Sequence, residues 1–129
     1  MHDASAQRQI LYIFAGLPAS GKSTLAQMVA GQFRAVYLRI DTIEQGLRDL
    51  CSIGVEREGY GLAYRIALDN LCAGMSVVAD SCNPIELTRR EWEQVARNAQ
   101  ADYVNIEVVC SDSAEHRLER RHEVQKCAG

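Results

Sequence analysis

The stretch GLPASGKST, Gly16 to Thr24, decides how the rest of this chain reads. It follows ILYIFA (Ile10–Ala15), a short apolar run rich in aromatic and β-branched residues. It precedes LAQMVAGQF (Leu25–Phe33), where apolar residues recur at helical spacing. Two glycines, a lysine and the hydroxyls of Ser23 and Thr24 therefore sit between a predicted strand and a predicted helix. Without a Cβ, Gly16 and Gly21 free the backbone to turn successive amides inward. Those amides and the N-terminus of the following helix make a positive cradle suited to phosphate.

The same alternation continues outward. Strands are predicted at AVYLRI (Ala35–Ile40), SVVAD (Ser76–Asp80) and YVNIEVVC (Tyr103–Cys110). Helices are predicted over Lys22–Phe33, Thr42–Cys51 with Ile43, Leu47 and Leu50 on one face, and Glu58–Ala73 with Tyr64, Ala67, Leu68 and Leu71 inward. Asn83-Pro84 caps and opens a fourth helix, whose stripe is Ile85, Trp92, Val95 and Ala99. A last helix spans about Ser113–Lys126. Strands alternating with helices imply an α/β fold: a parallel sheet of about four strands with helices on both faces. No linker or repeat divides residues 1–129, so one domain is expected.

Composition narrows the function. The formal net charge is −3, which weighs against a duplex-binding surface, because nucleic-acid affinity comes largely from neutralised phosphates. The five cysteines, Cys51, Cys72, Cys82, Cys110 and Cys127, show no C-x-x-C pairing. They read as free thiols in a reducing cytoplasm, several of them acting as small hydrophobes. The polar start MHDASAQRQ lacks a signal-peptide pattern, and no apolar run is long enough to span a bilayer.

GLPASGKST fits G-x-x-x-x-G-K-[ST], the P-loop pattern, in the strand–loop–helix setting that this pattern requires. Gly16, Leu17, Pro18, Ala19, Ser20 and Gly21 form the loop around the phosphates of a nucleoside triphosphate. Lys22 reaches the β- and γ-phosphates as a compact charge. Ser23 offers a hydroxyl to a magnesium ion bridging them, and Thr24 helps to hold the α-phosphate. Two carboxylates fall at strand ends, where α/β sheets carry their ligands: Asp41 after the second strand and Asp80 after the third. DTIE (Asp41–Glu44) also reads as a capping box, with Asp41 as the N-cap and Glu44 reaching back.

The chain resembles P-loop small-molecule kinases, the group of gluconate kinase, chloramphenicol phosphotransferase and the kinase part of polynucleotide kinase. The resemblance rests on GLPASGKST, on RID (Arg39–Asp41), on VVADSCNP (Val77–Pro84) and on VVCSDSAEHRLERR (Val108–Arg121). It implies ATP and magnesium as cofactors and a small-molecule hydroxyl as acceptor. It makes Asp41 the acceptor of the hydroxyl proton. It sets the third strand beside the first, so that Asp80 holds the magnesium with Ser23. It also implies that Arg117, Arg120 or Arg121, which share one helical face, close over the phosphates as a lid. A solvated face is the alternative for these arginines, since Glu115, Glu119 and Glu123 lie within pairing distance along the helix. Arg48, Tyr60 and Tyr64 are candidates for acceptor contact, Asn83 is a cap, and His116 receives no role.

Related kinases continue past the lid with another strand and helix, whereas this sequence stops at HEVQKCAG (His122–Gly129). The expectation is a sheet without its fifth strand, and an exposed edge that favours a homodimer. A nucleotide-dependent ATPase switch and a kinase acting on nucleic-acid ends remain the competing readings.

Overall fold

The computed structural model describes residues 8–16, 21–52, 54, 55, 57–82, 86–109, 124 and 125. Its elements, in chain order, are β1 (Ile10–Ala15), α1 (Lys22–Phe33), β2 (Val36–Arg39), α2 (Ile40–Cys51), α3 (Glu58–Cys72), β3 (Val77–Asp80), α4 (Glu86–Asn98), β4 (Asp102–Glu107) and β5 (Val124–Gln125). The strands form one sheet in the order β2-β3-β1-β4-β5. The pairs β1–β3, β1–β4 and β2–β3 are parallel, so the expected four-stranded parallel sheet is present.

Each face of the sheet buries its own apolar cluster. On one side, Ala26 and Ala30 of α1 pack on Phe14, Val78 and Val108, with Tyr12 and Tyr37 alongside. On the other, Ala63, Ala67 and Leu71 of α3 and Trp92, Val95 and Ala96 of α4 cover Leu11, Ile13, Leu38, Val77 and Ala79. Alternate strand residues point to opposite faces, which is why apolar residues run unbroken along β1 and β3. Burying helices on both faces also explains the short alanines on α1 and α3: they let the helix backbone approach the sheet.

The boundaries differ from the sequence reading in four places. The capping box is not formed: α2 starts at Ile40, its N-cap is Arg39 with no side-chain cap hydrogen bond, and Asp41 lies within the first turn. Ile40 is driven into the core at 1% exposure, and this winds the helix two residues earlier than the cap pattern suggests. Leu50, placed on the inward stripe of α2, is 86% exposed. Cys51 and Cys72 are exposed rather than core residues. Finally, Val124–Gln125 is a strand pairing antiparallel with β4, in register Tyr103↔Gln125 and Val104↔Val124. A short fifth strand is therefore present where helix was expected at 124 and 125, and the rest of the predicted helix, Ser113–Lys126, lies outside the described residues. A two-residue strand carries no periodicity, so local pattern could not have revealed it.

Candidate functional site

The chain leaves β1 for α1 on one face of the sheet and β3 for α4 on the other. Because β1 and β3 are adjacent, these divergent exits open a crevice above their carboxyl ends, where ligands of such sheets bind. The register places Phe14 opposite Asp80, so Asp80 stands at the rim of that crevice beside the strand that feeds the loop. The neighbouring strands expected for Asp80 are thus observed.

Gly16 and Gly21 carry the backbone strain at the ends of the loop. Gly16 has φ +150°, and a Cβ there would lie 2.5 Å from the Val108 carbonyl oxygen. Only glycine tolerates both conditions. Gly21 caps α1 at φ 85°, in the left-handed region, with no side-chain cap hydrogen bond. Leu17, Pro18, Ala19 and Ser20 lie outside the described residues. Thr24 is exposed on the first turn of α1, and Ser23 is half-buried.

Lys22 turns inward. Its side chain is 4% exposed, and Nζ forms an ion pair with Asp80 Oδ1, whose side chain is fully buried. Tyr37, on β2, donates its hydroxyl to the other oxygen, Asp80 Oδ2, at 2.6 Å. The Ser23 hydroxyl is hydrogen-bonded to the same carboxylate. Burial alone pushes the Asp80 carboxyl up. Hydrogen bonds from Lys22, Tyr37 and Ser23, with the Lys22 charge, outweigh it and hold the group below the usual carboxylate range. Asp80 on β3 is consequently an anion whose partners come from two other elements, α1 and β2.

Asp41 follows β2 at the same end of the sheet. It is half exposed, 4.0 Å from the Arg39 guanidinium. The Cys82 thiol donates to Asp41 Oδ2 at 3.9 Å, linking the first turn of α2 to the loop after β3. Burial pushes the Cys82 thiol up; the charges acting on it are those of Lys22, Asp41, Asp80 and Arg39.

The other acceptor candidates are not part of it. Tyr64 donates to Glu91 Oε1 at 2.8 Å and sits edge-on to Trp92, with ring centroids 4.6 Å apart. Arg57 holds the same Glu91 carboxylate through Nη2, at 2.9 and 3.1 Å. This cluster fastens α3 to α4, and Tyr60 packs against Tyr64 at 6.2 Å. Arg48 is exposed two turns down α2, about 10 Å along the axis from Asp41. Arg117, Arg120, Arg121, His116 and Asn83 fall outside the described residues.

Two participants were missed in the sequence. Tyr37 reads there as an ordinary strand residue, and Cys82 as a loop thiol. Neither carries a local signal: Tyr37 reaches the site through strand pairing, opposing Val78, two residues before Asp80, and Cys82 through its thiol contact with Asp41.

Among the described residues, no helix is long and apolar enough to cross a membrane. No curated protein matches the sequence. The fold has solved counterparts. An inferred kinase from Chloroflexus aurantiacus is 25% identical, with a TM-score of 0.66 over 79% of this chain and 60% of its own. A chain of the Pnkp1/Rnl/Hen1 RNA repair complex is 17% identical, with a TM-score of 0.64 over 81% of this chain and 34% of its own. The APS kinase CysC of Mycobacterium tuberculosis, solved in complex with AMPPNP and APS, is 22% identical, with a TM-score of 0.57 over 78% of this chain and 62% of its own. The chain thus spans about 60% of the length of the first of these. The sequence matches the AAA domain family over residues 11–128. With the family matched over nearly the whole chain, and a sheet and helices that superpose on a kinase structure, the chain belongs to the AAA domain family with the fold of P-loop kinases.

Proposed function

We propose that this protein is an ATP-dependent phosphotransferase that passes the γ-phosphoryl group to a hydroxyl of a small molecule. The observation that carries the reading is the buried Lys22–Asp80 pair at the strand ends, with Asp41 tied through the Cys82 thiol to the loop after β3. An ammonium and a carboxylate held dry at the end of a glycine-flanked loop form a dormant charge pair that a triphosphate can open. The APS kinase with the same fold was solved holding AMPPNP, an ATP analogue.

In this reading, Gly16, Gly21, Lys22, Ser23 and Thr24, with Leu17 to Ser20, bind the nucleotide. Lys22 neutralises the β- and γ-phosphates. The acceptor oxygen attacks the γ-phosphorus, the bond to the β-phosphate oxygen breaks, ADP leaves, and Asp41 takes the hydroxyl proton. Arg117, Arg120 and Arg121 add charge over the transferring group.

Magnesium fits the donors available. Ser23 and Asp80 supply hard oxygens, and Asp80 is held in its ionised form. Among the described residues, no group of three or more His, Cys, Asp or Glu side chains could hold a metal by itself. The remaining ligands would be phosphate oxygens and water, as magnesium at nucleotides prefers. The ion's contribution, when bound, is to offset charge on the phosphates.

A cytoplasmic location and a single nucleotide-binding domain over residues 1–129 complete the proposal. The likeness to a chain of an RNA repair complex favours nucleic-acid ends as the second acceptor class. The net charge of −3 favours a small molecule. ATP consumption measured with magnesium against a panel of polyols, aminoglycosides, nucleosides and 5′-hydroxyl oligonucleotides tests the choice. Consumption stimulated by a small alcohol supports the reading. Hydrolysis indifferent to every acceptor replaces it with an ATPase switch, and labelling of oligonucleotide ends alone replaces it with an end kinase.

A further inference from the structure

Tyr37 makes a polar contact at this site that the phosphotransfer steps above do not use. Its ring belongs to the cluster of Phe14, Ala26 and Val78 beneath α1. Its hydroxyl donates to Asp80 Oδ2 at 2.6 Å, while Lys22 occupies Oδ1. The Ser23 and Gln27 side chains of α1 lie beside the same phenol oxygen. One hydroxyl therefore joins the two residues assigned to the metal side of the site.

Lys22 cannot serve Asp80 and a triphosphate fully at the same time. When it moves to phosphate, Oδ1 loses its partner, and a carboxylate is free to rotate about its last torsion, which is broad and roughly two-fold. A second hydrogen bond removes that freedom. The phenol is well placed for this, because strand pairing fixes its base: Tyr37 opposes Val78 and Arg39 opposes Asp80. Rigid support of this kind is what a ligating side chain needs from its surroundings.

We propose that Tyr37 is a positioning residue for the metal–nucleotide complex: its hydrogen bond to Asp80 Oδ2 keeps the carboxylate plane fixed while Lys22 transfers from Oδ1 to the phosphates. The inference rests on the phosphotransferase reading, in which Asp80 faces magnesium. A purely structural tyrosine would instead support the fold and leave the metal dependence alone.

The test is calorimetric titration of the full chain with AMPPNP, first without magnesium and then over a magnesium series. For Tyr37→Phe, AMPPNP affinity without magnesium stays within about two-fold of wild type, because Lys22 and the loop are intact. The magnesium concentration giving half-maximal enhancement rises about ten-fold, the effect of one hydrogen bond to a charged group. An unchanged magnesium midpoint overturns the proposal, and so does an equal loss of affinity with and without the metal. Asp80→Asn separates the two levels. If it abolishes the magnesium enhancement while Tyr37→Phe does not alter it, Tyr37 positioning alone falls. If Asp80→Asn itself keeps the wild-type midpoint, the metal assignment of Asp80 falls and the proposal with it. Should Tyr37→Phe not fold, 3-fluorotyrosine at position 37 replaces it. As a stronger donor in the same ring it lowers the midpoint, and an unmoved or raised midpoint counts against the proposal.

Discussion

Lys22 and Asp80 stand 58 residues apart in sequence and meet as an ion pair in the interior. Removing one member of such a pair leaves the other buried and uncompensated, at a cost of about 3 kcal/mol. Lys22→Ala should therefore lower stability by roughly that amount in urea denaturation and abolish ATP binding by calorimetry with magnesium present. Wild-type ATP affinity in this variant would contradict the assignment of Lys22 to phosphate.

Asp41 contrasts with Asp80. Its side chain is 52% exposed and only loosely paired, so Asp41→Asn should leave thermal stability unchanged. Nucleotide affinity should also hold, while phosphoryl transfer drops by about 100-fold or more, since general-base catalysis typically supplies that much. Retained transfer at the wild-type rate would move the proton acceptor elsewhere.

Gly16 offers a purely steric check. A methyl group there meets the Val108 carbonyl at 2.5 Å and requires a backbone angle that side chains resist. Gly16→Ala should lose roughly 2 kcal/mol of stability and most nucleotide affinity. Gly31→Ala on α1, where an added Cβ meets nothing within 4 Å, should stabilise slightly or do nothing. Equal behaviour of the two variants would show that the loop is not held as described.

Tyr64 gives the protein an alkaline liability. Burial first, then the hydrogen bond to Glu91 and the charge of Glu91, push its phenol well above the ordinary 10.0. An unfolded tyrosine releases its proton above that value, whereas the folded one keeps it. The unfolded state then binds fewer protons, so stability falls as pH rises. The contribution is complete below pH 10 and is lost progressively above it. Tyr64→Phe should flatten this decline in denaturation midpoints measured from pH 9 upward; a slope identical to wild type would show that Glu91 does not hold the phenol protonated.

Strand, loop and helix around Gly16–Thr24 were legible in the sequence because their signals are local. Apolar runs, the positions of Gly16 and Gly21, and the lysine that follows depend on neighbours within a few residues. The same holds for Ala67 and Leu71, buried as the spacing of α3 required. The capping-box reading of Asp41 failed because burial of Ile40 outweighed a surface cap. Tyr64 looked like a pocket residue and proved to be the bolt between α3 and α4, since nothing nearby in the chain names Glu91 as its partner.

From its sequence alone, the protein was bound to join a buried strand to a helix through a loop with a glycine at each end, for the signals that mark those elements act over a few residues. Only the tertiary structure decided what the loop faces. Parallel pairing of β3 against both β1 and β2 brings Asp80, Lys22 and Tyr37 to one point, and strand order is a long-range choice that no short stretch of sequence contains.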